Sequence, residues 1–502
     1  MKKIIVLIFM LTCLNNSYAA KVYNADVVVV GAGGSGNAAA VQAAQLGAKV
    51  IVLEKQAAAG GNANFCEGIF GADSKFQRSQ NLPNVSKEDL FNKIMDFNHY
   101  KGDPLLVSAF VNQSADTIEW LQSLGVKIDG VFLEADSRTY TWHRFNGLCR
   151  AMTETLIKSY PKYGIQLMLE TEAKDVIMKD GKAVGVKAFN VEDGDIVINA
   201  KAVIIGTGGF VSNAEMLKKY ADFKGPITAI GAKNRTGDGI RMALAAGAKP
   251  EGLGTVQYHS PSPRFAGFAG IERRKTGFGF NQPVLWVNSF GKRFVNEYEV
   301  RNFSIAGNAA VRQKNGLVIK LLDSAVIDQY EKEGLDFVGG VNPRVPFTNL
   351  LRDIEADVQA GNVVKANTIE DLAKQLNKKF GTEIDPKILQ ATVDQTNHAY
   401  DKNFDDLFFK PRKVLHSFRT PPYYAIATYP AALGTVGGIR VDENCQAVDN
   451  DFHPIPGLFV VGADAGGMYG DTYDIIVAGE TIGFAVNSGR LAAKHAVATY
   501  VK

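Results

Sequence analysis

The stretch Asp26-Val-Val-Val-Val-Gly31-Ala-Gly33-Gly-Ser-Gly36 decides the fold, because a run of four valines leads directly into a glycine-rich turn. The residues from Asn37 to Leu46 have the composition of a helix, and a second apolar run, Lys49 to Leu53, ends in Glu54. The order of strand, glycine turn, helix, strand and terminal acid is typical of a unit that binds a dinucleotide.

Each glycine of this turn has its own physical role. Gly31 permits a tight turn, Gly33 lets the backbone approach a pyrophosphate, and Gly36 lets the helix pack closely on the strand. The N-terminus of the helix then faces the phosphates. Glu54 lies 21 residues after Gly33, where a ribose hydroxyl requires an acceptor. The alternative is a tight turn with no ligand.

The chain of 502 residues is long enough for two domains. Its 55 basic and 52 acidic side chains leave a net charge of +3. Such a balance gives no sign of a surface for nucleic acid or for an anionic membrane. We therefore predict no nucleic-acid partner, and no metal site is predicted either.

The first nineteen residues have the pattern of an export signal. Two lysines precede an apolar run from Ile4 to Leu14, and Ser17 and Ala19 supply the small residues of a cleavage site. The apolar run is too short to span a bilayer comfortably. We expect Sec-dependent export, cleavage near Ala19 and Ala20, and a periplasmic mature chain without stable membrane insertion. The alternative is an uncleaved anchor.

The cysteines give no disulfide pattern. Cys13 lies in the predicted signal, which leaves Cys66, Cys149 and Cys445, an odd number at irregular spacing. A disulfide framework is therefore not expected. The chain also contains no Cys-x-x-Cys-His, so we predict no haem in this chain.

The organisation changes twice along the chain. Two strand-like runs around Asp180-Gly181 predict a hairpin. From about Gly254 to Ala425 aromatic residues, prolines and short amphipathic helices dominate, and the α/β pattern then returns at Ile455–Gly462. The middle is therefore predicted to be a domain inserted into a nucleotide-binding domain, with a ligand cleft between the two.

The sequence resembles the FAD-binding family of fumarate reductase, succinate dehydrogenase and the flavin domain of flavocytochrome c, from about residue 24 to the end. The motifs that carry the resemblance are Gly31–Gly36, Glu54, Gly60–Asn62, Gly206–Gly209, Thr236–Gly239, Val287–Glu297 and Gly457–Gly462. The resemblance implies an α/β fold, with a Rossmann-like FAD-binding domain and an inserted α+β capping domain. The predicted bounds are 1–19 for the signal peptide, 20–255 and 426–502 for the FAD-binding domain, and 256–425 for the capping domain.

The resemblance also implies how FAD would lie, with adenosine at the first glycine turn and isoalloxazine in the cleft under the capping domain. Thr481 and Ile482 would lie near the flavin ring at a helix N-terminus, which favours negative charge on the reduced ring. Non-covalent FAD is expected rather than covalent FAD. The predicted cofactor-binding residues are Gly31, Gly33, Gly34, Ser35, Gly36, Glu54, Lys55, Gly61, Asn62, Ala63, Val176, Thr207, Gly208, Gly209, Asp238, Asp464, Thr481 and Ile482.

The chemistry that the resemblance implies is hydride transfer from flavin N5 to an activated carbon–carbon double bond, followed by protonation of the neighbouring carbon. Arg301 matches the arginine to which the family assigns proton delivery, and His259 matches a histidine that helps hold a substrate carboxylate. Thr276 matches the threonine before the family's proton relay. A surface ion pair is the alternative role for Arg301, and a structural role is the alternative for His259.

The departures from the family argue against fumarate as the substrate. Fumarate-type members have a histidine before Thr-Met-Gly-Gly, and the segment Ala432–Gly438 contains none. The relay glutamate and arginine align with Gly277 and Phe280. Near the C-terminus the chain is instead similar to 3-ketosteroid dehydrogenases, and Tyr473 matches their tyrosine, which polarises an enone oxygen. A structural role in the core is the alternative for Tyr473. The two carboxylates of fumarate would thus lose most of their charge-matched donors. Desolvating a carboxylate that has no partner costs several kcal/mol, so fumarate is not the expected substrate.

The sequence thus predicts a periplasmic FAD enzyme of anaerobic respiration that reduces the activated double bond of an enoate or an enone. Electrons would come from a separate carrier, for which a c-type cytochrome is expected. One alternative is a ketosteroid-type dehydrogenase working in the oxidative direction. Another is a flavin redox carrier with no catalytic role.

Overall fold

The computed structural model describes residues 20–83, 85–133, 139–264, 275–337, 345–473 and 475–502. The predicted export signal therefore lies outside the described residues. Within these ranges no helix has both the length and the apolar character that a membrane crossing requires.

A six-stranded sheet lies in the predicted dinucleotide-binding part of the protein. The four valines of Val27–Val30 are buried on both faces, so this strand lies inside the sheet, parallel to Val50–Leu53 and Ala202–Ile205. Only Gln446–Val448 runs antiparallel to its neighbour in this sheet. From edge to edge the strands are Gln446–Val448, Pro454–Val460, Ala202–Ile205, Val27–Val30, Val50–Leu53 and Gln166–Met168.

Two helices pack against each other beside this sheet, Gly34–Gln45 and Glu480–Ala496. Their approach is close because Gly489 has no side chain: a Cβ atom there would lie 2.2 Å from the carbonyl oxygen of Ser35. The first and last parts of the FAD-binding unit are thus joined directly. This contact places the N-termini of both helices at the same cavity.

A second sheet lies next in the chain. Thr171–Lys179, Lys182–Asn190 and Gly194–Asn199 form antiparallel pairs, and Lys21–Asn24 adds a parallel edge strand. Asp180 and Gly181 both have positive φ, 51° and 74°, which gives the tight hairpin turn that this residue pair favours. The predicted hairpin is confirmed.

A third sheet is built on one long strand, Tyr423–Thr435. Its first half pairs with Val318–Asp323 and Val364–Ala366, and its second half pairs with Val256–Ser262 and Thr228–Ala229. Leu285–Val287 extends the sheet beside Val318–Asp323. The strand therefore runs across the predicted boundary at residues 425 and 426.

The apolar core is divided in a similar way. One large cluster contains buried residues from Val27 to Tyr258 and from Ala432 to Val497. Two further clusters lie between Phe280 and Ala427. The domain bounds themselves stay a prediction.

The other helices lie around these sheets. They are Lys75–Ser79, Lys87–Phe97, Pro104–Ser123, Leu148–Lys158, Tyr160–Tyr163, Ala214–Tyr220, Asp238–Ala245, Thr276–Phe280, Phe303–Val311, Ser324–Glu333, Leu350–Gln359, Ile369–Phe380 and Pro386–Lys402. Two small sheets complete the described elements. One contains Gly68–Phe70, Trp142–Phe145 and Ile128–Phe132, and the other contains Pro250–Glu251 and Gly438–Ile439.

Candidate active site

A cavity of about 830 Å³ lies where the first glycine turn, the turn after Ala202–Ile205 and the third sheet meet. Fourteen of the predicted cofactor-binding residues line this cavity. They are Gly31, Gly33, Gly34, Ser35, Glu54, Lys55, Gly61, Asn62, Ala63, Thr207, Gly208, Asp238, Thr481 and Ile482. The sequence therefore located one wall of the site from segments that are far apart in the chain.

The first glycine turn has the shape that the motif predicts. Gly31 has a φ of 99°, and a Cβ atom on Gly36 would lie only 1.8 Å from the carbonyl oxygen of Gly31. A Cβ atom on Gly33 would meet open space. The helix Gly34–Gln45 begins at Gly33 without a side-chain cap, so its first backbone N–H groups are directed at the cavity. This end fits a pyrophosphate group.

Glu54 is buried at the edge of the cavity, with 6% of its surface exposed. Its carboxylate accepts hydrogen bonds from the backbone N–H of Ala32 at 3.1 Å and of Gln56 at 2.9 Å. These two bonds fix the carboxylate while leaving lone pairs for a further donor. The geometry suits the predicted contact with a ribose.

Lys55 and Asp238 form an ion pair on the cavity wall, with Nζ 2.5 Å from the carboxylate. Burial alone would raise the pKa of Asp238, but Lys55, Thr236 and Arg241 outweigh it and hold the pKa below its ordinary value. Asp238 is therefore ionised, and its charge is balanced by Lys55. Arg241 pairs with the same carboxylate at 2.5 Å, so a ligand would meet an Asp238 that already has two cationic partners.

Four of the predicted cofactor-binding residues lie off the cavity wall: Gly36, Val176, Gly209 and Asp464. The carboxylate of Asp464 is fully buried and accepts hydrogen bonds from the Thr207 hydroxyl and the Gly209 N–H, both at 2.8 Å. Asp464 thus holds the second glycine turn from behind. In the strand that contains Val176, the cavity wall is formed by Thr171, Glu172 and Ala173.

The other end of the cavity lies at the start of the helix Glu480–Ala496, which also has no side-chain cap. Gln257 donates a hydrogen bond to the Thr481 hydroxyl at 3.1 Å, and that hydroxyl donates to Tyr473 at 3.2 Å. Tyr473 is buried against Tyr469, with ring centroids 5.4 Å apart. Gln257, Thr481 and Tyr473 therefore form one hydrogen-bonded series that begins on the cavity wall.

The other predicted catalytic residues are not among the residues that line the cavity. The guanidinium of Arg301 donates to the Tyr298 hydroxyl and lies 4.8 Å from the centre of that ring. The ring of His259 stacks on Phe303 at 4.7 Å. Burial, with a smaller effect from the neighbouring Lys320, lowers the pKa of His259 to about 4, so the ring is neutral at pH 7.

Thr276 begins the short helix Thr276–Phe280 and is fully buried. Its hydroxyl has no hydrogen-bond partner among the described residues. Of the four predicted catalytic residues, Thr276 and Tyr473 are buried and His259 and Arg301 are partly exposed, and none of them is among the residues that line the cavity.

Two buried cations were missed by the sequence reasoning. Arg235 lies on the cavity wall and donates to the carbonyl oxygens of Ala232 at 2.7 Å, Ile230 at 2.5 Å and Leu433; burial lowers its pKa to about 10. No local pattern marks it. Lys320 could have been noticed, because it interrupts the apolar strand Val318–Asp323.

Lys320 is 1% exposed, and its ammonium donates to the carbonyl of Pro261 at 2.9 Å and to the side chain of Asn281 at 2.8 Å. The ammonium also lies 4.1 Å from the centre of the Trp286 ring. Burial holds the pKa of Lys320 well below its usual value.

The cavity as a whole fits an elongated anionic cofactor. Two helices without side-chain caps begin at it, a glycine turn leaves open space for a phosphate, and a fixed carboxylate lies beside that turn. These features define a dinucleotide-binding flavoprotein site rather than a bare turn.

Comparison with known proteins agrees with this conclusion. The family model described as FAD binding domain matches residues 26–475. The vinyl phenol reductase of Lactiplantibacillus plantarum is 34% identical over 490 residues, which cover 94% of this chain and 96% of that protein. The fumarate reductase (cytochrome) of Shewanella frigidimarina is 28% identical over 475 residues, covering 94% and 76%. The solved open conformation of a flavocytochrome c3 fumarate reductase superposes with a TM-score of 0.73 at 25% identity, over 96% of this chain and 79% of that one.

The chain belongs to the FAD binding domain family and is an FAD-dependent oxidoreductase. The predicted family resemblance and the predicted α/β fold are confirmed.

Proposed function

We propose that this protein reduces a carbon–carbon double bond that is activated by a conjugated carbonyl or by a hydroxylated aromatic ring, rather than by two carboxylates. Two relatives, named as a vinyl phenol reductase and a fumarate reductase, support the reduction of activated carbon–carbon double bonds in general. The observation that carries the choice of substrate is the series Gln257–Thr481–Tyr473 at the start of the helix Glu480–Ala496.

Four basic side chains line the cavity, Lys55, Lys233, Arg235 and Arg264, and two of them already have polar partners. Lys55 is already paired with Asp238, and the guanidinium of Arg235 is bonded to backbone carbonyls. A substrate carboxylate placed at Lys55 or Arg235 would therefore be desolvated against a cation that has other partners, which costs several kcal/mol. A neutral oxygen bonded to a tyrosine hydroxyl avoids that cost.

Bound FAD supplies the hydride for this reaction. Hydride transfer creates negative charge, which the protein must stabilise. The N–H groups at the start of Glu480–Ala496 favour negative charge nearby. Tyr473 donates a hydrogen bond to the conjugated oxygen of the substrate and so draws electrons from the double bond. The Thr481 hydroxyl, which is held by Gln257, orients Tyr473 for this contact.

Arg301 has the role of proton donor to the second carbon in this proposal. An arginine stays protonated at rest, so after it donates a proton a neighbouring group must reprotonate it. The Tyr298 hydroxyl is in hydrogen-bond contact with the guanidinium and is the group placed for that purpose. The turn Glu297–Arg301 leads into the helix Phe303–Val311, which packs on the strand that contains Gln257.

The test is a panel of substrates added to FAD-loaded protein that has been reduced with a viologen dye, with dye reoxidation as the measurement. We expect turnover with a hydroxylated styrene and with aryl or alkyl enoates, and slow turnover with fumarate. Fumarate as the fastest substrate would contradict the proposal. Turnover of saturated ketones with oxidised dye, and of nothing else, would instead support a ketosteroid-type dehydrogenase.

Paired variants test the role of Tyr473. Tyr473→Phe removes one hydrogen bond to an oxygen that gains charge, which is worth about 1.5–3 kcal/mol, so kcat/KM should fall about 10- to 150-fold. Tyr469→Phe is the matched control, because Tyr469 packs on Tyr473. Equal effects of the two substitutions would remove the assigned role. Arg301→Ala should abolish turnover while FAD stays bound.

We also propose that the mature chain works in the periplasm and receives electrons from a separate c-type cytochrome. The lysine pair, apolar run and small residues of positions 1–19 support export. Cell fractionation with N-terminal sequencing tests this: the mature protein should begin at Ala20 in the periplasmic fraction. A cytosolic protein that retains the first nineteen residues would contradict it.

A further inference from the structure

Cys66 and Cys149 are far apart in the sequence and adjacent in the structure. Cys66 follows the turn Gly61–Phe65, and Cys149 is the second residue of the helix Leu148–Lys158. The backbone N–H of Cys149 donates to the carbonyl of Cys66 at 3.1 Å. This backbone contact brings the two cysteines close together, which is the first requirement for a disulfide between them.

The two thiols differ in access. Cys66 lies on the wall of the cavity and is partly exposed, whereas Cys149 is fully buried behind it. A reagent in the cavity can therefore reach Cys66 only. Cys445, the third described cysteine, is also fully buried and lies beside the strand Gln446–Val448.

The two thiols also differ in acidity. The hydrogen bond from Cys149 and the positive charge of Arg235 lower the pKa of Cys66, against the effect of burial. Burial and the neighbouring Cys66 raise the pKa of Cys149. Thiolate character and access decide which cysteine reacts first. Cys66 is therefore the attacking thiol and Cys149 the resolving thiol.

We propose that Cys66 and Cys149 form a redox-active dithiol site in the wall of the flavin cavity, and that its substrate is a low-molecular-weight disulfide. The Cys66 thiolate attacks one sulfur of the small disulfide, whose S–S bond breaks and releases one small thiolate. The Cys149 thiol then loses its proton and attacks Cys66 Sγ, which forms the Cys66–Cys149 bond and releases the second small thiolate. Two electrons pass from the protein to the small disulfide.

Oxidation at this site changes the cavity wall. The Cys66 thiol donates to the carbonyl of Asn62 at 3.7 Å, and Asn62 lies on the wall beside Ala63. A disulfide removes that contact and fastens the turn Gly61–Phe65 to the helix Leu148–Lys158. The activity of the site is separate from double-bond reduction, since neither cysteine has a role in the proposed reaction.

The test equilibrates the FAD-loaded protein anaerobically with mixtures of oxidised and reduced glutathione, followed by alkylation and peptide mass analysis. We expect a Cys66–Cys149 linked peptide, two fewer alkylated thiols, and Cys445 alkylated at every mixture after unfolding. Three free thiols across the whole series would overturn the proposal. A link that includes Cys445 would overturn it too.

Variants separate the two roles. Cys149→Ala should accumulate a glutathione adduct on Cys66, because the resolving thiol is gone. Cys66→Ala should leave Cys149 unmodified, and Cys445→Ala is the matched control that should behave as the unchanged protein. An adduct that forms first on Cys149 would contradict the assignment. The flavin absorbance of each preparation verifies folding, and the wild-type linkage is read by mass without any variant.

Discussion

Replacing Glu54 by Gln should weaken FAD binding without removing the cavity. Glu54 is 6% exposed, and its carboxylate is fixed by the N–H groups of Ala32 and Gln56. Glutamine has nearly the same shape, so the change mainly removes the charge. The prediction therefore isolates the electrostatic part of the contact with a ribose.

The expected size follows from the strength of hydrogen bonds. A bond to a charged acceptor is worth about 1.5–3 kcal/mol and a neutral one about 0.5–1.5 kcal/mol, so each ribose hydroxyl loses about 1–1.5 kcal/mol. One such bond raises the Kd for FAD about 10-fold, and two raise it about 100-fold. Only one of the Ala32 and Gln56 contacts can persist, because the amide oxygen of glutamine accepts one of them and its NH2 group cannot accept the other.

The assay is titration of the flavin-free protein with FAD, followed by the quenching of flavin fluorescence. Glu172→Gln is the matched control: Glu172 lies on the same wall, but it is partly exposed and paired with Lys174 at 2.5 Å. We expect less than a threefold change for that variant. If Glu54→Gln and Glu172→Gln change the Kd equally, Glu54 does not contact the ribose.

Three further predictions test the packing and the buried charges. Gly36→Ala should abolish FAD binding and lower the melting temperature, because the added methyl would lie 1.8 Å from the Gly31 carbonyl; an unchanged holoprotein would contradict this. His143 is fully buried, and burial outweighs its hydrogen bonds and lowers its pKa from 6.5 to about 4. The folded protein therefore holds this ring neutral while the unfolded chain takes up a proton below pH 6.5. The contribution of His143 to stability is complete above pH 6.5 and is lost as the pH falls towards 4. That loss is at most about 3 kcal/mol, and His143→Gln should flatten the pH dependence of urea unfolding across this window; parallel curves would refute it. Burial lowers the pKa of Lys320 in the folded protein. The wild type should therefore gain stability relative to Lys320→Met as the pH rises towards 10.5. A constant difference in urea midpoint between pH 7 and pH 9.5 would show that Lys320 keeps its charge.

The first half of the dinucleotide unit could be predicted because its signals are local. Four valines, a glycine turn and an alanine-rich segment gave the strand Val27–Val30 and the helix Gly34–Gln45 within a few residues. The Asp180-Gly181 turn is equally local, because the turn conformation depends on those two residues. Most of the cavity wall on this side followed from the same motifs.

The rest depended on contacts between distant segments, which a single sequence does not encode locally. The pairing of Val256–Ser262 with Tyr423–Thr435 follows from strand order, and the bonds of Arg235 follow from where three backbone carbonyls happen to converge. The adjacency of Cys66 and Cys149 has the same origin. Counting cysteines argued against a disulfide framework, but it could not show that two of them face each other.

The strand Tyr423–Thr435 has a mechanical consequence. Its first half is hydrogen-bonded to strands of the predicted capping domain, and its second half is bonded to Val256–Ser262 of that domain and to Thr228–Ala229 of the predicted FAD-binding domain, so one continuous strand has partners in both. Wide separation of the parts would require several ladder bonds to break at once. The strand thereby resists a wide separation of the two parts more strongly than a flexible linker between them would.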